Sequence, residues 1–305
     1  ALYDKVNGYY MKKNPFGKEG DFITAPNITR LFSEIIAIWV LTFWKSIGSP
    51  KKFNLLELGA GNGEMIKVII ETLKNFPECF LNCNFQIHEK SELLKKKQQL
   101  NLKSEQITWI KDIKISNSFP TIFLANEFFD ALPIKQFFKK KEGWFERFVD
   151  LKDKKKAEFK EQPIDIKDIE NVLNFEISKD QEIIEYSPSS FEYLKHICNL
   201  IKKCDGGILI IDYGYLNFKM HETLQAIKNH KHSNILEDIG DSDITYNINF
   251  NLFKIFINQF DDLNSVICNQ KKFLTSMGIV QRAEIISENI PFSKKSDLFY
   301  RIRRL

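Results

Sequence analysis

Leu55-Leu56-Glu57-Leu58-Gly59-Ala60-Gly61-Asn62-Gly63 decides the fold of this chain. Leu55 to Leu58 is a short apolar run that enters a Gly-x-Gly-x-Gly turn. Met65, Ile66, Ile69, Ile70 and Leu73 follow at spacings that line one face of a helix. Strand, glycine turn and helix make the first unit of a nucleotide-binding α/β domain. Glycine serves where the main chain turns sharply and where a ligand must come close to it. Position 64 is Glu and position 65 is Met, so the third glycine falls one residue early for the dinucleotide pattern G-x-G-x-x-G. No Lys-Ser or Lys-Thr follows, as a phosphate-binding P-loop would require.

The alternation continues on both sides of this unit. A helix is expected from about Asn27 to Lys45, stopped by Gly48 and Pro50. Strands are expected at Phe53–Leu58, Phe85–His88, Ile107–Ile110 and Thr121–Ala125, with helices at Glu64–Asn75 and Ser91–Leu100 between them. Apolar strands separated by helices favour a parallel sheet covered on both faces. Past Pro133 the pattern changes to strand-like alternation around a lysine-rich turn, read as a β-rich insertion. A helix near Ser190–Lys203 and the strand Ile208–Ile211 resume the core, and a second irregular insertion follows. A helix is expected at Leu252–Phe260, then two terminal strands near Ile279–Ile286 and Leu298–Ile302. The organisation is therefore an N-terminal extension (1–50), a core beginning at 51–133, a substrate-facing insertion (134–186), core again (187–214), a second insertion (215–250) and a final core part (251–305).

With 305 residues, 43% of them hydrophobic and 28% charged, the chain can bury a sizeable core. A net charge of +4 is too small to argue for nucleic acid, and the lysine runs read as solvated faces. Five cysteines without metal-type spacing suggest free thiols in a reducing compartment and no metal site. The longest apolar stretch, Ile35 to Trp44, is half the roughly 20 residues that a membrane helix needs. It reads as a buried helix, so no stable membrane insertion is expected. No targeting segment is visible, which leaves a bacterial cytoplasm or a mitochondrial matrix as the expected compartment, and nothing fixes the oligomeric state.

In open α/β sheets the ligand lies outside the carboxyl ends of the strands. There stand the three glycines after strand one, Glu89 after strand two, Asp112 after strand three, and Asn126, Glu127 and Asp130 after strand four. Glu89 can accept both hydroxyl protons of a ribose, or simply complement a helix N-terminus. Asp112 is placed to reach an adenine amino group. Glu127 and Asp130 sit among Ala125, Phe128, Phe129, Ala131 and Leu132, and carboxylates in apolar surroundings need a partner. A guanidinium, which binds carboxylates as a fork, would supply one. His230 is a candidate base or a structural hydrogen-bonder, and Asp243 a cap or part of a pocket.

The spacing E-x-G-x-G-x-G from Glu57 to Gly63 resembles the first motif of class I S-adenosylmethionine (SAM) methyltransferases. A longer series is more specific: Gly20-Asp21-Phe22-Ile23-Thr24-Ala25-Pro26 with Phe32-Ser33-Glu34, the glycine turn, Glu89-Lys90-Ser91 and Ala125 to Pro133. It continues through Glu185-Tyr186-Ser187-Pro188, Asp212-Tyr213-Gly214, Thr223-Leu224 with His230, and Asp243-Ile244-Thr245 with Phe250. The series resembles the MidA-type methyltransferase family, whose mitochondrial members are complex I assembly factors that methylate an arginine of a core subunit.

The resemblance implies a class I SAM methyltransferase, that is, a Rossmann-like sheet with an N-terminal helical extension and β-rich insertions, using SAM to methylate an arginine of a protein. It carries cofactor contact to the turn with Gly59, Gly61 and Gly63, to Glu89, and to the Gly20–Pro26 loop with Asp21, Thr24 and Pro26; Glu57 before the turn and Asp112 after strand three are further candidate contacts by position. Acceptor positioning goes to Asn126, Glu127 and Asp130. The family often has Pro and Arg where this chain has Ala60 and Asn62, and Phe-Gly-Glu where it has Phe32-Ser33-Glu34, which bears on affinity more than on cofactor identity. A SAM-dependent methyltransferase acting on a small molecule or another side chain, or a SAM-binding assembly chaperone without significant catalysis, are the alternatives.

Overall fold

The computed structural model describes residues 1–12, 15, 24–113, 118–152, 156–228 and 231–305. In chain order its strands are β1 (Phe53–Leu58), β2 (Cys83–His88), β3 (Ile107–Ile110), β4 (Thr121–Asn126), β5 (Lys135–Lys140), β6 (Gly143–Lys152) and β7 (Lys156–Ile164). Then come β8 (Ile183–Tyr186), β9 (Gly206–Ile211), β10 (Gly214–Tyr215), β11 (Gln225–Lys228), β12 (Lys231–Ser233), β13 (Asp243–Thr245) and β14 (Ile248–Asn249). The chain divides into two compact units. One comprises Ala1–Tyr9, Glu127–Asn199 and Asp212–Ser265; the other comprises Tyr10–Asn126, Leu200–Ile211 and Val266–Leu305.

The second unit holds a parallel sheet in the order β3-β2-β1-β4-β9. Parallel neighbours need a crossover, which the helices Glu64–Leu73 and Glu92–Asn101 supply after β1 and β2. All six residues of β1 are buried, as expected of the central strand of a sheet covered on both faces. Asn54 on β1 is buried too, and its amide is satisfied within the sheet. It donates to Thr121 Oγ1 (3.1 Å) on β4 and accepts from Asn84 and Gln86 of β2.

The first long helix runs Arg30–Ser46, starting three residues later than its apolar pattern suggests. Thr29 has an extended backbone (φ −156°, ψ 138°) and its hydroxyl accepts the Leu31 N–H, an N-cap that separates this helix from the short turn Ala25–Ile28. Phe32, Ile35, Ile36, Val40 and Trp44 of this helix join Ile66, Ile69, Leu73, Leu55 and Phe85 in the core. No helix among the described residues is long and apolar enough to cross a membrane.

Gly206 opens β9 opposite Thr121 with φ 129°, and an added Cβ would lie 2.1 Å from the Thr121 carbonyl oxygen. Both the backbone conformation and the close approach demand glycine. Gly206→Ala is expected to destabilise the protein by on the order of 3 kcal/mol or more, read by urea unfolding; a loss below about 1 kcal/mol would show that β9 shifts freely.

The expected terminal strands are not there. Ile279–Glu288 and Phe292–Arg303 are helices. Ile279, Ala283 and Ile286 recur at i, i+4 and i+7, and Leu298, Phe299, Ile302 and Leu305 repeat at the same period, so both runs pack an apolar stripe against the core, fully buried at Ile279 and Ala283 and partly buried in the second. Short apolar runs hide this period because four consecutive residues fit either pattern.

In the first unit, β7-β6-β5-β8 form an antiparallel sheet, β12-β11-β13 a smaller one, and β10 pairs with β14. The strand-like alternation past Pro133 does form strands, β5 to β8, interrupted by the helix Lys167–Leu173. The aromatic core of this unit is built edge to face: Phe129 on Phe253 (5.3 Å between ring centres) and Phe191 on Phe256 (5.0 Å). Buried Glu185 on β8 accepts from Gln136, from the amides of Thr223 and Leu224 and from the Thr223 hydroxyl, which ties the second insertion to the sheet.

Candidate active site

At the carboxyl end of β1 the chain makes three left-handed residues in five: Gly59 (φ 65°), Gly61 (φ 54°) and Gly63 (φ 81°). Side-chain-bearing residues rarely adopt this region, so the spacing of the glycines follows from the path of the turn. The Gly59 N–H donates to the His88 carbonyl and the Gly63 N–H to the Ala60 carbonyl (2.7 Å). Gly63 also stands at the N-cap of Glu64–Leu73, where its missing side chain leaves room for Leu102.

Glu57 enters the turn from β1 and is only 3% exposed. Its Oε2 has no hydrogen-bond partner among the described residues. Burial pushes its carboxyl up to about 8, the Ile66 N–H opposes that, and the Glu89 carboxylate adds to it. The folded state therefore holds this proton more tightly than the unfolded chain. Its stability falls as pH rises from about 4.5 through about 8. Glu57→Gln is expected to raise the melting temperature of the ligand-free protein by a few degrees above about pH 8 and to leave it unchanged below about pH 4.5. Equal shifts at both pH values would contradict a buried, proton-holding Glu57.

Glu89 follows β2. Its Oε1 accepts the Ser91 N–H (2.9 Å) and its Oε2 accepts Gln98 Nε2 (3.0 Å). Burial raises its pKa, and those two donors limit the rise. A carboxylate held in this way presents remaining acceptor positions suited to a vicinal diol. Asp112 stands two residues beyond β3 and is exposed. Thr24 and Pro26 begin the turn before Arg30–Ser46, with the Thr24 hydroxyl accepting from Asn27 (3.0 Å). Asp21 and His230 lie outside the described residues.

Asn126 ends β4; it is half-buried and its Oδ1 has no hydrogen-bond partner among the described residues. The next residue, Glu127, is left-handed (φ 49°), which is uncommon for a side chain of its size and marks a constrained turn. In the first unit the turn is fixed by Asp212, which follows β9 as Glu127 follows β4. Asp212 Oδ2 accepts the Phe129 and Asp130 N–H groups (3.1 and 3.3 Å) and its Oδ1 accepts the Tyr213 N–H. Tyr3 donates to the Ala131 carbonyl, and the Tyr246 N–H to that of Asp130.

Asp130 is 7% exposed and its Oδ1 has no hydrogen-bond partner among the described residues. Burial drives its pKa well above the usual carboxylate range, and the charges of Asp212, Glu127 and Asp243 push it further. Asp212 is raised as well, first by burial and then by Glu127, against the three N–H groups it accepts. Four acids thus converge, one of them buried with an open acceptor oxygen, and burial inclines Asp130 and Asp212 to keep a proton or to take up a cation.

Sequence reasoning leaves Asp212 without a role and Asp243 between two. Asp212 has a readable signal in its position after a strand of the same sheet. Gln98 escapes it as well; its signal is a polar residue in an otherwise apolar i, i+4 row, Leu94-Gln98-Leu102.

A parallel sheet ordered β3-β2-β1-β4-β9, with a glycine turn after β1 and an acidic residue after β2, is a Rossmann-like nucleotide-binding arrangement, and the G-x-G-x-G spacing of the turn fits a class I SAM-dependent methyltransferase. The chain belongs to the family described as "Putative S-adenosyl-L-methionine-dependent methyltransferase", which matches residues 35–267. It is 28% identical to the protein arginine methyltransferase NDUFAF7, mitochondrial, of Xenopus tropicalis over 94% of this chain and 72% of that protein. The corresponding Homo sapiens protein is 28% identical over 94% of this chain and 70% of its own length, and a Drosophila melanogaster homolog 30% over 83% and 64%. Among solved structures, a Burkholderia thailandensis superfamily member bound to S-adenosyl-homocysteine superposes over all of this chain and 81% of its own, with a TM-score of 0.83 at 20% identity. The fold and the SAM-dependent class expected from the glycine spacing are therefore borne out.

Proposed function

We propose that the protein is a protein arginine N-methyltransferase whose acceptor is a core subunit of respiratory complex I. The carrying observation is Asp130, a buried carboxylate with an open oxygen among three other acids. The names of the relatives, all protein arginine methyltransferases, support the same reading and make the acceptor a protein. Their names also say mitochondrial, which supports a mitochondrial setting, with the matrix as the proposed compartment.

The glycine turn, Glu57 and Glu89 would hold SAM, with Thr24, Pro26, Asp21 and Asp112 as further contacts. Glu57 Oε2, buried without a partner among the described residues, suits a ligand that brings donors and positive charge. When bound, SAM supplies a methyl group on a positively charged sulfur. Glu127 and Asp130 bind the guanidinium of the acceptor, with Asn126 Oδ1 as a further acceptor of its N–H groups. A guanidinium is charged at neutral pH and its nitrogens are poor nucleophiles. Carboxylates that draw the charge to one side leave the opposite nitrogen richer in electrons and aimed. Orientation of this kind is worth up to about 7–11 kcal/mol in intramolecular reactions.

Methylation of a guanidinium nitrogen must release one proton. Uptake of the cation drives off the proton that burial favours on Asp130 and Asp212. The pair is then a base whose proton affinity the surrounding acids have raised. A peptide spanning the acceptor arginine, and the same peptide with lysine in its place, test the reading. Methylation of only the first is expected, and equal methylation of both would contradict it.

A further inference from the structure

Helix Glu92–Asn101 buries only two side chains, and one of them is an amide. Gln98 has 0% exposure where its row calls for an aliphatic residue. Its Nε2 donates to the Gly61 carbonyl (2.9 Å) and to Glu89 Oε2 (3.0 Å), while its Oε1 accepts Trp109 Nε1 from β3 (2.9 Å). An indole N–H can only donate, so Trp109 decides which way round the amide lies. Turned over, Gln98 would aim its oxygen at a carbonyl and a carboxylate, two acceptors facing a third. The helix grips the turn again one residue along in the motif, where Asn101 Nδ2 donates to the Asn62 carbonyl (3.0 Å).

The middle glycine of the turn and one oxygen of Glu89 are thereby fixed by the same amide. We infer that Gln98 is a positioning residue for the cofactor, locking the glycine turn and Glu89 into one arrangement, and that Trp109 sets the sense of the lock. The inference rests on the reading that the turn and Glu89 hold SAM. It adds that their mutual placement depends on two residues that need not touch the ligand.

SAM dissociation constants of the full chain, measured by calorimetry, test it, with circular dichroism as the check on folding. Gln98→Leu is expected to weaken SAM by roughly 10- to 100-fold, and Trp109→Phe by about 3- to 10-fold. Combined with Gln98→Leu, Trp109→Phe should add almost nothing, because Trp109 acts only through the amide. Gln98→Glu gives a signature that loosened packing would not. SAM binding to this variant weakens as pH rises, since the introduced carboxylate, once ionised, repels Glu89. Binding recovers as pH falls and the new side chain regains a proton to donate. Additive losses in the double variant, or a pH-independent Gln98→Glu, overturn the inference. Glu89→Ala separates the two levels. If it leaves SAM affinity unchanged, the cofactor reading of Glu89 has failed; if it weakens SAM while Gln98→Leu does not, only the role of Gln98 has.

Discussion

Glu127→Gln is expected to lower kcat/KM for the arginine acceptor by about 1,000-fold while changing the SAM dissociation constant less than about threefold. The substitution keeps the size of the side chain but replaces an anionic acceptor with an amide that presents two donors of its own. A guanidinium carries five N–H donors and no acceptor, so the amide NH2 faces it unproductively. Breaking one side of a desolvated, hydrogen-bonded charge pair costs about 2–5 kcal/mol, and most of it falls on acceptor and transition state together. The turn itself should survive, since Asp212 holds Phe129 and Asp130 through main-chain amides that the substitution leaves in place. Wild-type turnover in this variant would remove the acceptor role from Glu127.

Gly63→Val is expected to do the reverse, weakening SAM by at least about 100-fold in a chain that still folds. Gly63 sits at φ 81°, and a Cβ there would meet Leu102 Cδ1 at 2.8 Å. The left-handed region costs an L-residue roughly 1–2 kcal/mol, and a β-branched side chain more. Leu102 is the end of a flexible side chain and can yield, so the main damage is to the path of the turn rather than to the core. SAM titration of the folded variant reads the effect, and affinity within threefold of wild type would show that the turn tolerates a side chain. Together the two substitutions separate a cofactor defect in one unit from an acceptor defect in the other.

The fold was largely legible because its strongest signals are local. The limits of β1 and β3 follow from runs of apolar residues bounded by turn residues, and the spacing of three glycines matches three left-handed residues. The terminal helices were misread because Ile279–Ile286 is apolar enough for a strand, and only its packing, with Ile279 and Ala283 turned inward, reveals the longer period. The candidate site was legible in part. Glu127 and Asp130 announce themselves as acids in an apolar loop, yet the residue that fixes them, Asp212, is 82 positions from Asp130. No spacing rule links these two residues; the adjacency of β4 and β9 does. Gln98 illustrates a second limit, since a polar residue in a buried row says that a partner exists without saying which.

The central claim is that this chain methylates arginine by way of its buried acids. It is tested most directly by incubating the protein with deuterium-labelled SAM and a purified complex I core subunit, then locating the label by tandem mass spectrometry. Label on one arginine, absent with Glu127→Gln and absent when that arginine is replaced by lysine, is the predicted result. Label on another residue type, no label on the subunit, or undiminished label with Glu127→Gln would contradict it.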